Sequence, residues 1–389
     1  MKKVVLAYSG GLDTSCCVAW LQDRGFEVIT YTADLGQGIN FAQLKKKAKR
    51  CGVKKAYIVD LKDRFLNDFV FPALKAGAIY EAKYPLATAL GRPLIAEGLV
   101  AIAHKENAQY IAHGCTGKGN DQVRLEVSVA ALDKRLKVVA PLREWELKTR
   151  DDEIKYAWAH NIQVEATKKS PYSTDLNLWG RSIECGVLED PANAPPPDIY
   201  KLTKDPQKCP NKPLYLTIGF SKGIPVRLNG KDSKAVSLIN RLNKLAGGCG
   251  VGRIDMVENR LVGIKSREIY EAPAATVLYL AHQELESLIL DKESAQFKKQ
   301  VAEKYAQLVY NGLWHTPLKA ALDKFIDQTQ IRLKGVIDLK LYKGNCVCVG
   351  RRSPCSLYKK SLATYDKGDK FDQSAANGFI KIWGLPYQK

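Results

Sequence analysis

Residues 3–15 read KVVLAYSGGLDTS, and this stretch decides the fold of the first half of the chain. Its apolar run, residues 3–8, ends at Ser-Gly-Gly and predicts a buried strand. Residues 12–24 then carry apolar side chains at helical intervals and stop at Gly25, which predicts a helix. A strand joined to a helix by two glycines is a typical beginning of an α/β domain.

The alternation of strand and helix continues to residue 160. Strands are predicted at 28–32, 56–59, 109–112 and 137–139, and helices at 41–49, 93–106, 122–132 and 151–160. This order predicts a parallel sheet with helices on both faces, in which ligands bind at the carboxyl ends of the strands. We therefore expect Ser9, Ala33 and residues 113–116 to lie at one edge of the sheet.

The pattern changes after residue 168. Seven prolines between Pro191 and Pro213 exclude regular helix there, and residues 214–228 alternate like a β-hairpin. Helices at 233–245, 274–290, 295–311 and 318–327 and strands at 253–258 and 261–265 predict an α+β domain. We expect domains at residues 1–168 and 169–365, followed by a C-terminal arm, 366–389, whose apolar ending must dock on protein.

Length and composition indicate a soluble protein of two domains. The chain has 389 residues, of which 46% are hydrophobic and 26% charged, and it has no apolar run of about 18 residues that would predict a membrane span. The apolar start breaks at Ser9, short of a secretory signal, so we expect a cytoplasmic protein. The net charge of +19 favours anionic partners. Because no aromatic residues alternate with the basic cluster at 45–55, we expect a nucleotide rather than nucleic acid.

The ten cysteines are scattered without a disulfide framework, which suits a reducing compartment. Cys346, Cys348 and Cys355 are either three thiolate ligands for zinc or small apolar side chains of a strand. No CxxC pair or partnering histidine completes a set of four, so we expect no metal site formed by the protein.

Residues 9–15 have the features of a phosphate-binding loop. Two glycines allow close backbone approach, the helix N-terminus directs N–H groups and its dipole at an anion, and three hydroxyl side chains add donors. The loop is neither a Walker A sequence nor a dinucleotide fingerprint. The alternative is a tight turn in which Asp13 or Thr14 only caps the helix.

The full string SGGLDTS resembles the loop of the ATP pyrophosphatases, which cleave ATP between its α- and β-phosphates. Further segments resemble the argininosuccinate synthase family in particular. In chain order they are YTADLGQ (31–37), YPL (84–86), RP (92–93), HGCTGKGNDQVR (113–124), SPYSTD (170–175), NLW (177–179) with Ser182, Glu184 and Gly186, VENR (257–260), KSR (265–267), YE (270–271), YKGN (342–345), SP (353–354), Tyr358 and WGLP (383–386). The resemblance spans essentially the whole chain.

The resemblance implies a Rossmann-like HUP domain, a synthetase domain and a homotetramer with C-terminal arms. In the implied reaction, the ureido oxygen of L-citrulline attacks the α-phosphorus of ATP, and the amino group of L-aspartate then displaces AMP to give argininosuccinate. This chemistry needs positioning and charge neutralisation but no protein nucleophile. ATP and Mg²⁺ are the implied cofactors.

The resemblance also implies three groups of site residues, among which Asn120, Asp121 and Arg124 are the expected catalytic residues. ATP is assigned to Ala7, Tyr8, Ser9, Gly10, Gly11, Leu12, Asp13, Thr14, Ser15, Ala33 and Gly114. Aspartate is assigned to Thr116, Asn120 and Asp121. Citrulline is assigned to Tyr84, Asn120, Arg124, Ser173, Ser182, Glu258 and Tyr270.

Charge suggests how some of these residues act. We expect Asp121 to hold the ammonium group of aspartate, and it is also a candidate acceptor for the proton of that amine. We expect Glu258 to accept the ammonium group of citrulline and Arg124 to face its carboxylate.

Each assignment has a structural alternative. Tyr84 and Tyr270 would then be half-buried aromatics that only pack, and Glu258 or Arg124 would belong to a surface ion pair. Ser173 and Ser182 would be helix caps. At Ala89 the chain lacks a hydroxyl residue that contacts citrulline in many family members, and Thr88 is the expected substitute.

Two other functions stay open on the sequence alone. A tRNA-thiolating enzyme would share the loop and explain the basic charge, but it needs an RNA-binding module or a catalytic cysteine pair. A nucleotide sensor without catalysis would have lost the polar residues of 116–124, which are intact.

Overall fold

The computed structural model describes residues 2–163 and 171–388. The domain boundary predicted at residue 168 and Ser170 of the SPYSTD segment lie outside these residues. Three sheets organise the described chain, one of them parallel and in the first half, the other two antiparallel and in the second half.

The parallel sheet consists of β1 (Lys2–Ala7), β2 (Phe26–Asp34), β3 (Lys55–Asp60), β4 (Tyr110–Ala112) and β5 (Lys137–Val139). Their order across the sheet is β3-β2-β1-β4-β5. The helical segments of this half are α1 (Leu12–Asp23), α2 (Phe41–Arg50), α3 (Lys62–Arg64), a π-helical segment (Phe65–Val70), α4 (Phe71–Ala76), α5 (Ala87–Glu106), α6 (Asp121–Leu132), α7 (Pro141–Glu144) and α8 (Arg150–Ala159). The α/β fold predicted for this half is confirmed.

The central strand β1 explains why helices cover both faces of the sheet. Its successive side chains point to opposite faces, and Val4, Val5 and Leu6 are all fully buried. Val4 and Leu6 pack in one apolar cluster with α1, whereas Val5 packs in the other with α5. The uninterrupted apolar sequence of β1 therefore contributes to the hydrophobic core on both faces of the sheet.

The start of α5 differs from the prediction. Pro93 was expected near the first position of a helix, but α5 begins at Ala87 and Pro93 lies inside it. An internal proline costs a helix about 3 kcal/mol. Burial of Leu90, Leu94 and Leu99 against the sheet offsets this cost. The helical stretch from Lys62 to Ala76 was not predicted.

The strands of the second half are β6 (Ser173–Asn177), β7 (Gly180–Glu184), β8 (Leu214–Ser221), β9 (Ile224–Leu228), β10 (Lys231–Asp232), β11 (Arg253–Asn259), β12 (Lys265–Glu271), β13 (Gly335–Tyr342) and β14 (Asn345–Arg352). They form sheets of order β10-β9-β8-β13-β14 and β11-β12-β7-β6. The α-helices are α9 (Ala235–Gly248), α10 (Pro273–Ile289), α11 (Lys292–Tyr310), α12 (Pro317–Gln330), α13 (Lys360–Ala363) and α14 (Ala375–Trp383). Short 3₁₀ turns occupy Gly186–Glu189, Pro197–Ile199, Pro206–Lys208 and Leu385–Tyr387.

The predicted hairpin at 214–228 and the four long helices of this half are present, but the strand predicted at 261–265 is wrong. Arg260 N donates to Ile264 O at 2.8 Å, and Gly263 has a φ of 87°. These residues therefore form the turn between β11 and β12. Strands β6 and β7 were not predicted.

The C-terminal arm ends in helix α14, whose apolar side chains are exposed. Phe379, Ile380, Ile382 and Trp383 are between 62% and 71% exposed. Within the described chain, no helix combines the length and the apolar content needed to cross a membrane.

Gly98 gives a test of the packing between α5 and the sheet. A Cβ at this position would lie 1.9 Å from the hydroxyl oxygen of buried Tyr31. We expect Gly98→Ala to lower the free energy of unfolding by about 1–3 kcal/mol, because the ring must move within a packed core. Gly248→Ala is the matched control, since a Cβ there meets no atom within 4 Å. Urea unfolding followed by circular dichroism measures both, and equal midpoints would contradict the packing described.

Candidate active site

A cavity of about 690 Å³ lies at the carboxyl edge of the parallel sheet. Its walls come from the loops after β1, β2 and β4, from α5 and α6, and from strands β6, β7, β11 and β12. Residues 9–15 and 113–124, far apart in sequence, thus face the same space. A cavity of this size is typical of small-molecule sites.

The loop after β1 presents hydroxyl and N–H groups to the cavity. Gly11 is the N-cap of α1 and offers no capping side chain, so the alternative in which Asp13 or Thr14 caps the helix is wrong. Ser9 Oγ lies 3.1 Å from Thr14 Oγ1 and accepts from Gly11 N at 3.3 Å. A helix N-terminus without a side-chain cap leaves N–H donors for an anion.

The loop after β4 is shaped by internal hydrogen bonds. Cys115 N donates to His113 Nδ1 at 3.2 Å, so this ring nitrogen is an acceptor. The proton of the neutral ring is then on Nε2, which donates to Glu126 Oε1 at 3.0 Å. Gln122 Nε2 donates to Gly117 O at 2.5 Å. A Cβ on Gly114 would lie 3.0 Å from Thr14 Cγ2, so the two loops are in contact where this glycine stands.

Asp121 is held by two arginines. Arg92 Nη2 donates to Asp121 Oδ2 at 2.7 Å and also pairs with Asp175, while Arg124 Nη1 donates to Asp121 Oδ1 at 3.0 Å. Burial raises the pKa of the Asp121 carboxyl, but the charges of Arg92 and Arg124 outweigh it and hold the pKa at about 2. Asp121 is therefore ionised at neutral pH and a weak base, which argues against its proposed role as a proton acceptor.

Arg124 keeps one unpaired nitrogen for a ligand. Its Nε donates to Tyr310 O at 2.8 Å and its guanidinium carbon lies 4.7 Å from the centre of the Tyr310 ring. Its Nη2 is buried and has no hydrogen-bond partner among the described residues. A buried guanidinium with an unpaired N–H group at a cavity wall favours an anionic or carbonyl ligand.

Glu258 is buried between two tyrosines. Tyr270 OH donates to its Oε2 at 2.7 Å and Tyr310 OH to its Oε1 at 2.5 Å. Burial raises the pKa of Glu258. Tyr270 is stacked on Tyr84 with ring centres 4.1 Å apart. The surface ion pair of Glu258 and Arg124, considered as an alternative, is wrong because both side chains are buried.

Asn120 joins the loop to the second half of the chain. Its Nδ2 donates to Tyr310 OH at 2.8 Å, and its Oδ1 accepts from Leu261 N at 2.9 Å. One N–H of the amide is left for a ligand. Asn120 is thus mainly a residue that positions its neighbours.

A second group of carboxylates surrounds Arg260. Its Nη2 donates to Glu268 at 2.6 Å and also pairs with Glu184. Burial raises the pKa of Glu268, and the neighbouring Glu184 and Glu258 add to this. Arg260 opposes this shift, because it forms an ion pair with both Glu268 and Glu184.

Most of the predicted site residues line the cavity. They are Ala7, Tyr8, Ser9, Asp13, Thr14, Ala33, Tyr84, Gly114, Thr116, Asn120, Asp121, Arg124, Ser173, Ser182, Glu258 and Tyr270. Gly10, Gly11, Leu12 and Ser15 are not among the lining residues; Leu12 and Ser15 are buried, whereas Gly11 is exposed. Thr88 lines the cavity, whereas Ala89 is buried. Ser173 and Ser182 are on strands, so the helix-cap alternative is wrong for both.

Several wall residues had no predicted role. Arg92, Glu184 and Arg260 belong to segments that carried the family resemblance, but nothing in their spacing showed that they face the cavity. Tyr310 does not line the cavity but bonds Asn120, Arg124 and Glu258, and it had no signal because an aromatic residue at the end of an amphipathic helix is usually a core residue. Among the described residues, no group of three or more His, Cys, Asp or Glu residues could hold a metal ion.

Comparison with known proteins gives matches along the chain. The profile described as Arginosuccinate synthase N-terminal HUP domain matches residues 3–163, and that of the Arginosuccinate synthase C-terminal domain matches residues 172–389. The HUP match agrees with the parallel α/β sheet of the first half.

Curated relatives of nearly full length carry the name argininosuccinate synthase. The one from Aquifex aeolicus is 56% identical over 387 residues, which cover 99% of this chain and 96% of the relative. The one from Chlorobium luteolum is 54% identical over 385 residues, with the same coverage of both chains. The one from Caldanaerobacter subterraneus is 56% identical over 385 residues, covering 99% and 94%.

These matches favour the ligase over the tRNA-thiolating alternative, because they extend through both halves of the chain rather than through the loop domain alone. The sheet, the shared cavity and the full-length relatives agree with one another. The chain belongs to the argininosuccinate synthase family.

Proposed function

We propose that the cavity is the active site of a ligase that joins L-citrulline to L-aspartate and cleaves ATP to AMP and pyrophosphate, as a step of arginine biosynthesis. The family assignment supports the reaction. One observation supports the site: the loop after β1 and the loop after β4 line the same cavity as Glu258 and Tyr270.

ATP is proposed to bind along the carboxyl edge of the sheet, with its phosphates at residues 9–15. The N-terminal N–H groups of α1 and the hydroxyl groups of Ser9 and Thr14 would hold them. Ala33 and Gly114 line the wall on either side of β1. Their small side chains leave room for the nucleotide there.

Citrulline is proposed to bind between Arg124 and Glu258. The unpaired Nη2 of Arg124 suits its carboxylate, and Glu258, with Ser173 and Ser182 nearby on the cavity wall, suits its ammonium group. Held by both groups of its α-carbon, the substrate can extend its side chain and place its ureido oxygen at the α-phosphorus of ATP. That oxygen forms the new P–O bond as the bond to pyrophosphate breaks.

Aspartate is proposed to bind at Thr116, Asn120 and Asp121, where Asp121 is a fixed negative charge for its ammonium group. Its amine, once deprotonated, attacks the activated ureido carbon, and AMP leaves with the bonding electrons. Because Asp121 has a pKa of about 2, we assign it to positioning and leave the proton to the departing phosphate or to water.

Magnesium is proposed to arrive as the complex with ATP. Asp13, in the first turn of α1, lines the cavity, and a single carboxylate with phosphate oxygens and water is a usual arrangement for Mg²⁺.

The exposed apolar face of α14 supports a homotetramer in which each C-terminal arm docks on another subunit. Cytoplasmic location is also proposed, supported by ten cysteines that are all unbridged. The basic surface is proposed to attract nucleotide and aspartate, with no nucleic acid or membrane partner.

Omission of single substrates tests the function. We expect the protein with ATP, Mg²⁺, citrulline and aspartate to release pyrophosphate and form argininosuccinate. Without citrulline, pyrophosphate release should stop, because no ureido oxygen is present to attack ATP. A rate of pyrophosphate release that does not depend on citrulline would contradict the proposal.

Asp121→Asn tests the positioning role. The neutral amide cannot balance Arg92 and Arg124, so both side chains should shift from their places at the cavity. We expect product formation to fall by about a hundredfold, with ATP binding retained. Asp151→Asn, at an exposed carboxylate of α8, is the control. Normal turnover of the Asp121 variant would remove this residue from the mechanism.

Removal of residues 371–389 tests the arm. Because the apolar residues of α14 are then lost, we expect sedimentation velocity to show a smaller species than the full chain. A full chain that sediments as a monomer, or an unchanged profile after truncation, would contradict the tetramer.

A further inference from the structure

The phosphate loop lacks a cation of its own. Residues 9–15 contain no basic side chain and one carboxylate, Asp13. A Walker A loop, in contrast, carries a lysine that reaches the β- and γ-phosphates. The proposed reaction releases pyrophosphate, and positive groups that meet its growing charge lower the barrier. A basic residue from another part of the chain is therefore worth seeking.

Helix α2 lies directly against this loop. Gly10 has a φ of 79°, and a Cβ on it would lie 2.2 Å from Cδ1 of Leu44. One helical turn further along, Nζ of Lys47 donates to Gly10 O at 2.6 Å. Leu44 and Lys47 are three positions apart and so share one face of the helix. That face forms an outer wall of the loop.

Lys47 differs from the other basic residues of α2. Lys45, Lys46, Lys49 and Arg50 are exposed, as a solvated helix face predicts, whereas Lys47 is half-buried. Within the described chain, the one hydrogen bond of its ammonium group is to a neutral carbonyl, and no carboxylate forms an ion pair with it.

The arginines that line the cavity are in a different situation. Each already has a carboxylate partner: Asp121 for Arg92 and Arg124, Glu271 for Arg181, and Glu184 for Arg260. Lys47 thus brings a charge that its surroundings do not neutralise. An ammonium group has three N–H donors, so Lys47 can keep its hydrogen bond to Gly10 O and still bind an anion.

We propose that Lys47 binds the β- and γ-phosphates of ATP, and then the leaving pyrophosphate, as the cation of the phosphate loop. This role rests on the proposed function of the cavity. Helix α2 is then part of the nucleotide site. Lys47 faces the phosphates, and the other lysines of the helix are exposed to solvent.

Measuring the binding of ATP, pyrophosphate and AMP tests the proposal. For Lys47→Met, which keeps the length of the side chain but removes its charge, we expect calorimetry to show ATP and pyrophosphate binding weakened by about tenfold or more. AMP has neither the β- nor the γ-phosphate, so its affinity should stay within about twofold. Lys47→Arg should restore part of the ATP affinity, because the charge returns.

Lys46→Met is the matched control, since it removes an exposed charge from the same helix. Its affinities should stay within about twofold of those of the parent protein. Equal ATP affinity in Lys47→Met and the parent would overturn the proposal. So would an equal loss of AMP and ATP affinity, because the side chain would then only hold the shape of the loop.

The experiment also separates the two proposals. ATP, pyrophosphate and AMP binding are measured without citrulline or turnover, so they report on Lys47 even if the parent protein releases no pyrophosphate on adding citrulline. In that case the proposed function fails while the selective loss of ATP binding still supports Lys47 as a phosphate ligand.

Discussion

Parallel pairing of β1 with β4 is the constraint on which the active site depends. The register joins Val4 to Tyr110 and Leu6 to Ala112, so both strands end at the same edge of the sheet. The two loops that follow, residues 9–15 and 113–124, are far apart in the chain, yet they must emerge side by side. The contact of Gly114 with Thr14 shows how closely they meet. No specific side-chain bond is needed for this, because the backbone ladder sets it.

Charge balance inside the cavity depends on the second half of the chain. Arg92 joins Asp121 to Asp175 of β6, and Arg260 follows β11 and pairs with carboxylates of β7 and β12. Buried ion pairs of this kind add little to stability, since desolvation offsets their attraction, but losing one partner is costly. Their main effect here is to fix the direction of the guanidinium groups. Although the whole chain has a net charge of +19, the arginines of the cavity are therefore balanced by carboxylates.

Sequence reasoning worked where the signal is local. The strand and helix at residues 3–24 follow from apolar spacing, and the same is true of most helices. It failed where tertiary contacts decide. Residues 261–264, LVGI, are apolar like a strand, but Gly263 turns the chain there. Strands β6 and β7 have mixed polar sequences, and only the pairing of β6 with β7 and of β7 with β12 makes them strands.

The candidate site shows the same division. Residues 9–15 and 113–124 are recognisable because glycines and polar residues cluster in short loops after strands. Arg92 lies inside helix α5, and Tyr310 ends α11, so no local pattern shows that either side chain belongs to the site. Their partners, Asp175 for one and Glu258 for the other, are known only from the folded chain.

The junction of α6 with α11 has a consequence for how relatives can diverge. Arg124 lies over the ring of Tyr310, and a Cβ on Gly312 would come within 2.7 Å of Arg124 Cα. A bulkier residue at position 312 would displace α6 together with Asp121 and Arg124, which line the cavity. Hybrids that exchange N- and C-terminal halves between family members would have to inherit 124, 310 and 312 as a matched set, and evolutionary drift at these three positions would be correlated.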